Sequence, residues 1–532
     1  MSSARSPSQA LARRLFSDGL ARSGSFAALL GLYALAQVVG YRHAYPTDAE
    51  RLEFARTFGV NKALELFYGV PRDLVTVGGY TAWRFGGFGS IIAAVWAVFA
   101  AVRAYRGEEE AGRQELVLAG TVTRRSAFSA AVVAILAGAG ILWLAIFAAL
   151  VAARLQVDGS AYLALVTISP VPVFVGVAAL ASQLASTRRL ALQLSIGVLL
   201  VGFVLRVVAD IGDFRAVRWM TPLGWSEEMR AFADPRPLVL LLPVAAGASL
   251  LAGAAALSVR RDVGRGVLAT ADTARPRLWG LSSPATQAAR SEAGVLAGWL
   301  AGIGLFGLVV GFLSTSFSVK TISKSLQQTL AKLGGASIVT PAGALSFYFL
   351  FFAVAISLFG CSQVGAARRE EAEQQLETLL ALPVGRTRWL GGRLALGAAA
   401  AIALALTAGF CSWSGAAAQG AGVPITDLLA AGLNCLPAAL LFLGIGSLAY
   451  AFYPRGGTAV AYGLVAVSFI WELLGSLLGA PRWLIDSTPF QHIGLVPAEH
   501  FRAGAALVML GIGAAAAGLS LGIFSRRDLT GA

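Results

Sequence analysis

The residues of this 532-residue chain that could do chemistry are few, and their spacing excludes most of it. There are three histidines, His43, His492 and His500, and three cysteines, Cys361, Cys411 and Cys435. The cysteines fall in or at the ends of apolar runs, with neither metal-site nor disulfide-framework spacing. His492 and His500 stand near Asp486 and Glu499, but at no spacing that a zinc site uses. None of the four lysines, Lys62, Lys320, Lys324 and Lys332, belongs to a GxxxxGK[ST] phosphate loop. No Ser-His-Asp or Cys-His set stands out. No carboxylate falls in the middle of a long apolar run, where a proton-driven carrier usually holds one. We therefore expect no catalytic residue, no metal and no cofactor bound by this chain.

The charged stretch that does stand out occurs twice. Arg106–Arg125 reads RGEEEAGRQELVLAGTVTRR, and 262 residues later Arg368–Thr387 reads RREEAEQQLETLLALPVGRT. Arg106 falls on Arg368, Glu108 on Glu370, Glu109 on Glu371, Glu115 on Glu377 and Arg124 on Arg386. Two further echoes follow. SVRRD at Ser258–Asp262 matches FSRRD at Phe524–Asp528, with the arginines 266 residues apart. Arg218-Trp219 with Thr221-Pro222 matches Arg482-Trp483 with Thr488-Pro489. The chain reads as two homologous halves in tandem. In the first copy Glu108–Glu110 open a short helix, where acids complement the helix dipole. Gly120 in one copy, and Pro383 with Gly385 in the other, end it. A short projecting helix and re-entry at a basic residue follow; a solvated loop with a positive anchor is the plainer reading.

The surrounding elements are membrane spans. The chain is 57% hydrophobic and 13% charged, against about a quarter charged in a soluble domain. Runs of about 20 apolar residues, each long enough to cross a bilayer, lie near 24–41, 86–104, 126–153, 161–185, 190–208 and 238–258. A second set lies near 291–314, 345–365, 390–413, 426–452, 458–480 and 502–524. The fold class is thus an all-α polytopic membrane protein with twelve transmembrane helices as two six-helix halves. The divisions are 1–23, an amphipathic interface helix; 24–262, the first half; 263–290, a linker with a second interface helix; and 291–532, the second half. Within 1–23, Leu11, Leu15, Phe16 and Leu20 recur at helical spacing between arginines; a basic tail without structure is the alternative. The first apolar run lacks a small-residue cleavage pattern and reads as a span, not a leader. Arginines concentrate on the side that holds the acidic copies and both termini, which places that side in the cytoplasm. This anchoring accounts for the net charge of +14 without nucleic acid. The outer segment His43–Trp83 carries a helix start at Pro46-Thr47-Asp48, and its counterpart holds a helical pattern over Ser323–Leu333.

The acidic segments, EEEAGRQELVLAGTVTRR and REEAEQQLETLLALPVGRTR, together with the RRD motifs, carry a resemblance over nearly the whole chain. The chain resembles the fused permease of an ATP-binding cassette exporter of the type-2 permease class. More narrowly it is similar to actinobacterial permeases for tetronasin, other polyketide antibiotics and multidrug efflux. The resemblance implies a coupling helix between the second and third spans of each half and a short re-entrant outer helix before each sixth span. The latter would fall within Ile211–Pro237 and Pro481–Phe501. It implies a separate homodimeric ATPase, with ATP and Mg on that partner, and a hydrophobic drug-like substrate moved out of a bacterial plasma membrane by alternating access. Glu108, Glu109, Glu115, Arg124, Glu370, Glu371, Glu377 and Arg386 would serve ATPase coupling. Phe85, Phe88, Phe203, Phe347, Phe349, Phe352, Phe469 and Trp471 would line the substrate cavity, unless they face lipid or neighbouring helices. A 266-residue shift sets Arg206 on Glu472, near the outer ends of the fifth spans. If those spans face each other, as the resemblance implies, the two would pair as a gate; independent snorkelling is the other reading. A proton-driven carrier remains the alternative function, and a membrane scaffold or lipid-modifying enzyme a further one.

Overall fold

Ser6 fixes the start of the first helix: its hydroxyl accepts from the Gln9 N–H, the Gln9 side chain returns to the Ser6 N–H, and Pro7 takes the first helical position. The computed structural model describes residues 6–529 apart from 60–64, 66–67, 212–213, 261–265, 267–282, 315–340, 475–482 and 484–485. Among the described residues there is no strand.

Among the described residues, eleven helices are long and apolar enough to cross a membrane. A twelfth, Gly457–Leu474, is apolar over a shorter stretch, and the rest of its expected span lies outside the described residues. The expected boundary between interface helix and first span is not a break. Pro7–Ala44 is one helix of 38 residues, carried through Ser23-Gly24-Ser25 with the Ser25 hydroxyl bonded to the Ala21 carbonyl. At 1.5 Å per residue it is far longer than the roughly 30 Å hydrocarbon core. Pro284–Leu313 is likewise unbroken behind a Ser283/Thr286 capping box. Most of the expected linker, the Ser323–Leu333 pattern and Arg261-Asp262 lie outside the described residues.

The chain divides into two compact units, Met1–Ala274 and Arg275–Ala532. Each contains the same helix pairings. Pro7–Ala44 packs along Arg124–Ala152, as Pro284–Leu313 packs along Arg386–Ala418. Val171–Leu184 packs on Gly87–Val102 and Leu241–Arg260, as Leu436–Phe452 packs on Pro341–Ala372 and Ala503–Arg526. In lipid such contacts depend on close approach rather than on hydrophobicity. Gly415 provides it in the second unit: a Cβ there would lie 2.2 Å from the Leu308 carbonyl oxygen. The fourth span is interrupted in both units, between Val157–Ile168 and Val171–Leu184 at Pro170, and between Ile425–Leu433 and Leu436–Phe452 near Pro437.

The segment between the first two long helices of the first unit begins as its residues predict. Thr47 caps Asp48–Phe58 with Glu50 closing the box. Phe54 joins Tyr41, Leu74, Tyr80 and Trp83 in a separate aromatic core, in which Tyr41 and Tyr80 stack at 3.9 Å. Beyond the fifth span, Thr221 caps Pro222–Glu228 and Thr488 caps Pro489–His492, each with proline at the first position. The matched Thr-Pro pairs of the sequence are thus matched helix starts.

Candidate coupling segments and a buried charge cluster

The two acidic copies fold alike. Helix Arg113–Leu118 starts after Gly112 at φ 68°, and helix Gln375–Leu380 starts after Gln374 at φ 60°. The 262-residue shift carries one pair of bounds onto the other, left-handed residue included. It also carries the start of Arg124–Ala152 onto that of Arg386–Ala418. Glycine adopts the left-handed turn at no steric cost, whereas Gln374 adopts it against its preference.

Four of the six glutamates are used within the fold. Glu109 and Arg106 pair at 2.8 Å, and the Arg106 guanidinium also donates to the Ser186 carbonyl. Glu371 takes Arg527 at 2.6 Å, Arg368 at 3.9 Å and the Tyr450 hydroxyl. Arg527 belongs to the closing RRD motif, so that echo supplies a partner for the acidic copy. Glu108 is held by two bonds from Arg113, at 2.9 and 2.6 Å. Glu370 is held by Arg393, which comes from the next long helix. Glu115 and Glu377 differ from these: both are exposed, and neither side chain has a partner among the described residues. Arg124 and Arg386 are half-buried at the re-entry points, and Arg386 donates to the Arg527 carbonyl.

The proposed cavity residues fall into three groups. Phe85, Phe349 and Phe352 are buried in the cores of their own units. Phe203, Phe469 and Trp471 are half-buried, with Phe469 against Phe351 and Phe490. Phe88 and Phe347 are exposed.

Arg206 is not the lone charge that its sequence position implied. It lies 3.4 Å from Asp210, one turn on, and 3.3 Å from Glu227, with its guanidinium over the Phe203 ring. Arg218 bridges Asp210 at 2.8 Å and Glu228 at 3.0 Å. Glu228 also takes Arg72, from the segment between the first two long helices, at 2.9 Å and Arg230 at 3.1 Å. Two residues of this cluster carried a signal, Arg218 through the Arg-Trp echo and Arg206 through its match to Glu472; the others are scattered over 72–230 and converge only on folding. The neighbouring glutamates are driven apart. Burial works to raise Glu228, but Arg72, Arg218 and Arg230 outweigh it and hold its carboxyl below the usual range. Burial dominates at Glu227 and pushes it up to about 8, with Asp210 adding to the shift and Arg206, Arg218 and Arg72 opposing it. Gly69, at φ 81°, makes room, since a Cβ there would lie 2.1 Å from a Glu227 carboxyl oxygen. Glu472 accepts from the Thr488 hydroxyl at 2.7 Å.

A family model described as "Multidrug efflux system permease Rv1217c, C-terminal domain" matches residues 61–257 and 281–525. The multidrug efflux system permease protein Rv1217c of Mycobacterium tuberculosis (strain ATCC 25618 / H37Rv) is 31% identical over 503 residues, covering 93% of this chain and 90% of that protein.

Proposed function

This chain belongs to the family of the multidrug efflux system permease Rv1217c, and from that premise we propose that it is the membrane-spanning permease of an ATP-driven exporter. Its cargo is amphipathic or hydrophobic small molecules of the antibiotic or multidrug type. We assign it to the type-2 permease class of ATP-binding cassette exporters, with twelve spans, both termini cytoplasmic and the bacterial plasma membrane as its site.

The observation that carries the reading is the matched pair of short helices. Each bears one exposed glutamate, Glu115 or Glu377, above a base fixed by the ion pairs of Glu109 and Glu371. Free carboxylates on a rigid support suit docking onto a basic partner surface. In this proposal the partner is a homodimeric ATPase that holds ATP and Mg, and the permease binds neither. Closure of that dimer moves the two helices, and the spans joined to them shift from inward to outward opening. Phe88 and Phe347, the exposed aromatics of the set, are the first contacts assigned to substrate; Phe203, Phe469 and Trp471 come next. Arg206 and Glu472 act at the outer gate, each held by partners of its own half.

One feature favours a second reading, a proton-driven carrier: Glu227 is a buried carboxyl beside Asp210, and burial pushes its pKa up to about 8. Reconstitution in vesicles separates the two. Efflux of a dye that needs the partner ATPase and ATP, and persists without a proton gradient, supports the first. Efflux by the permease alone, driven by a pH gradient, supports the second.

A further inference from the structure

A groove of about 410 Å³ runs along the first unit, bounded by the N-terminal helix, the helix Gly87–Val102 with its continuation through Arg103, and the helix Arg124–Ala152. Its long walls include Phe26, Trp96 and Phe99. The Trp96 ring is seated against Gly138, where a Cβ would lie 2.8 Å from the ring, so the groove floor is fixed. One end is basic, with Arg22, Arg103 and Arg188. The stems of Arg103 and Arg188 meet over Gly107: a Cβ on that glycine would lie 3.7 Å from Arg103 Cγ and 3.8 Å from Arg188 Cδ.

Two carboxylates, Asp18 and Glu108, share this end, and both are already engaged. Both Glu108 oxygens accept from Arg113, and Asp18 lies 3.7 Å from Arg14. None of the three groove arginines has a carboxylate within salt-bridge distance among the described residues. The cationic end is therefore in excess, at the mouth of an apolar channel. Basic pockets between transmembrane helices recognise anionic lipid head groups by this arrangement. The feature is particular to the first half. The 262-residue shift sets Trp96 on Leu358, Phe99 on Cys361 and Arg103 on Gly365. At Gly365 even a Cβ would press on Thr458 at 3.3 Å. The repeated fold thus does not require the groove.

We propose that this groove binds one anionic phospholipid, its phosphate held by Arg22, Arg103 and Arg188 and one acyl chain lying along Phe26, Trp96 and Phe99. The occupant would touch the turn that carries Glu108–Glu110, because the Arg188 backbone N–H donates to Glu110.

The test uses the full-length protein, stripped of lipid in detergent and titrated with phosphatidylglycerol or with phosphatidylcholine of the same acyl chains. Native mass spectrometry reads the bound fraction, so the result does not depend on how transport is driven. Phosphatidylglycerol should be retained over phosphatidylcholine. Arg22→Gln and Arg188→Gln, both at exposed positions, should each lower its affinity about fivefold, and Arg22→Lys should keep most of it. Glycerol phosphate, which has the head charge without chains, should not compete at equal concentration. Equal retention of the two lipids, unchanged phosphatidylglycerol binding in the Arg22→Gln/Arg188→Gln double variant, or full competition by glycerol phosphate would each overturn the proposal.

Discussion

Glu109 lies 2.8 Å from Arg106, three residues back, and both side chains are only 2% exposed. An ion pair so enclosed contributes little net stability, but removing one partner leaves the other charge buried and uncompensated, a loss of about 3–5 kcal/mol. Glu109→Ala should therefore destabilise the first unit by that amount. Glu371→Ala, which strands Arg527, should do the same to the second. Glu115→Ala, at an exposed position, should stay within about 0.5 kcal/mol. Unfolding of each variant in detergent measures the difference, and equal stability of all three would contradict the division of roles.

The exposed pair is where function should respond. Reversing charge in Glu115→Lys with Glu377→Lys should leave folding and membrane insertion intact while abolishing capture of the partner ATPase and drug-stimulated ATP hydrolysis. Each single reversal should retain partial activity, because the other matched helix is untouched. Pull-down of the ATPase by the purified permease is the direct readout, and full recruitment by the double variant would exclude these helices as the dock.

Glu227 sets a pH dependence whose sign follows from its surroundings. Burial lifts its pKa from an ordinary carboxylate value to about 8, so the folded chain holds this proton where the unfolded chain has released it. The stabilisation is fully present below the ordinary carboxylate range and is lost as pH rises through about 8. The midpoint of thermal unfolding should fall as pH rises from about 5 to about 8, by about 2–4 °C for each kcal/mol lost. Glu227→Gln, a neutral isostere, should flatten that slope. A wild-type midpoint that climbs over this interval would mean that Glu227 is charged in the folded chain.

Spans and repeated segments were legible because each rests on local information. Apolar length marks a span, and a 262-residue echo marks equivalent loops; the bounds 113–118 and 375–380 obey that echo. The continuity of Pro7–Ala44 was not legible, since the pattern changes from amphipathic to apolar at Ser23-Gly24, while the helix runs on with the Ser25 hydroxyl bonded back to the Ala21 carbonyl. The partners of the glutamates were hidden for a different reason. Arg527 reaches Glu371 across 156 residues, and Arg72 reaches Glu228 across the same separation. No periodicity encodes such pairs, which exist only once helices from distant parts of a unit pack side by side. The partners of Arg206 were hidden for the same reason: Asp210 is near in sequence, but Glu227 arrives on a helix beyond an intervening turn.

That environment decides what a charge swap at the gate should do. Arg206 faces Asp210 and Glu227, and Glu472 is held by Thr488 at 2.7 Å, each within its own unit. Arg206→Gln should leave Asp210 and Glu227 with Arg218 as their remaining close cation, loosen the far end of Arg188–Ile211 and raise basal ATP hydrolysis by the assembled exporter. Glu472→Gln loses a hydrogen bond to a hydroxyl, worth about 1 kcal/mol, and should have the milder effect. In the exchanged variant, Arg206→Glu with Glu472→Arg, a third carboxylate would join Asp210 and Glu227 opposite Arg218 alone. Like charges crowded at low dielectric are strongly disfavoured, so the exchange should be at least as defective as Arg206→Gln. Basal hydrolysis of the three variants, measured with the partner ATPase in nanodiscs, tests this. Restoration of wild-type control by the exchange would show that position 206 is governed by position 472 and not by the carboxylates of its own half.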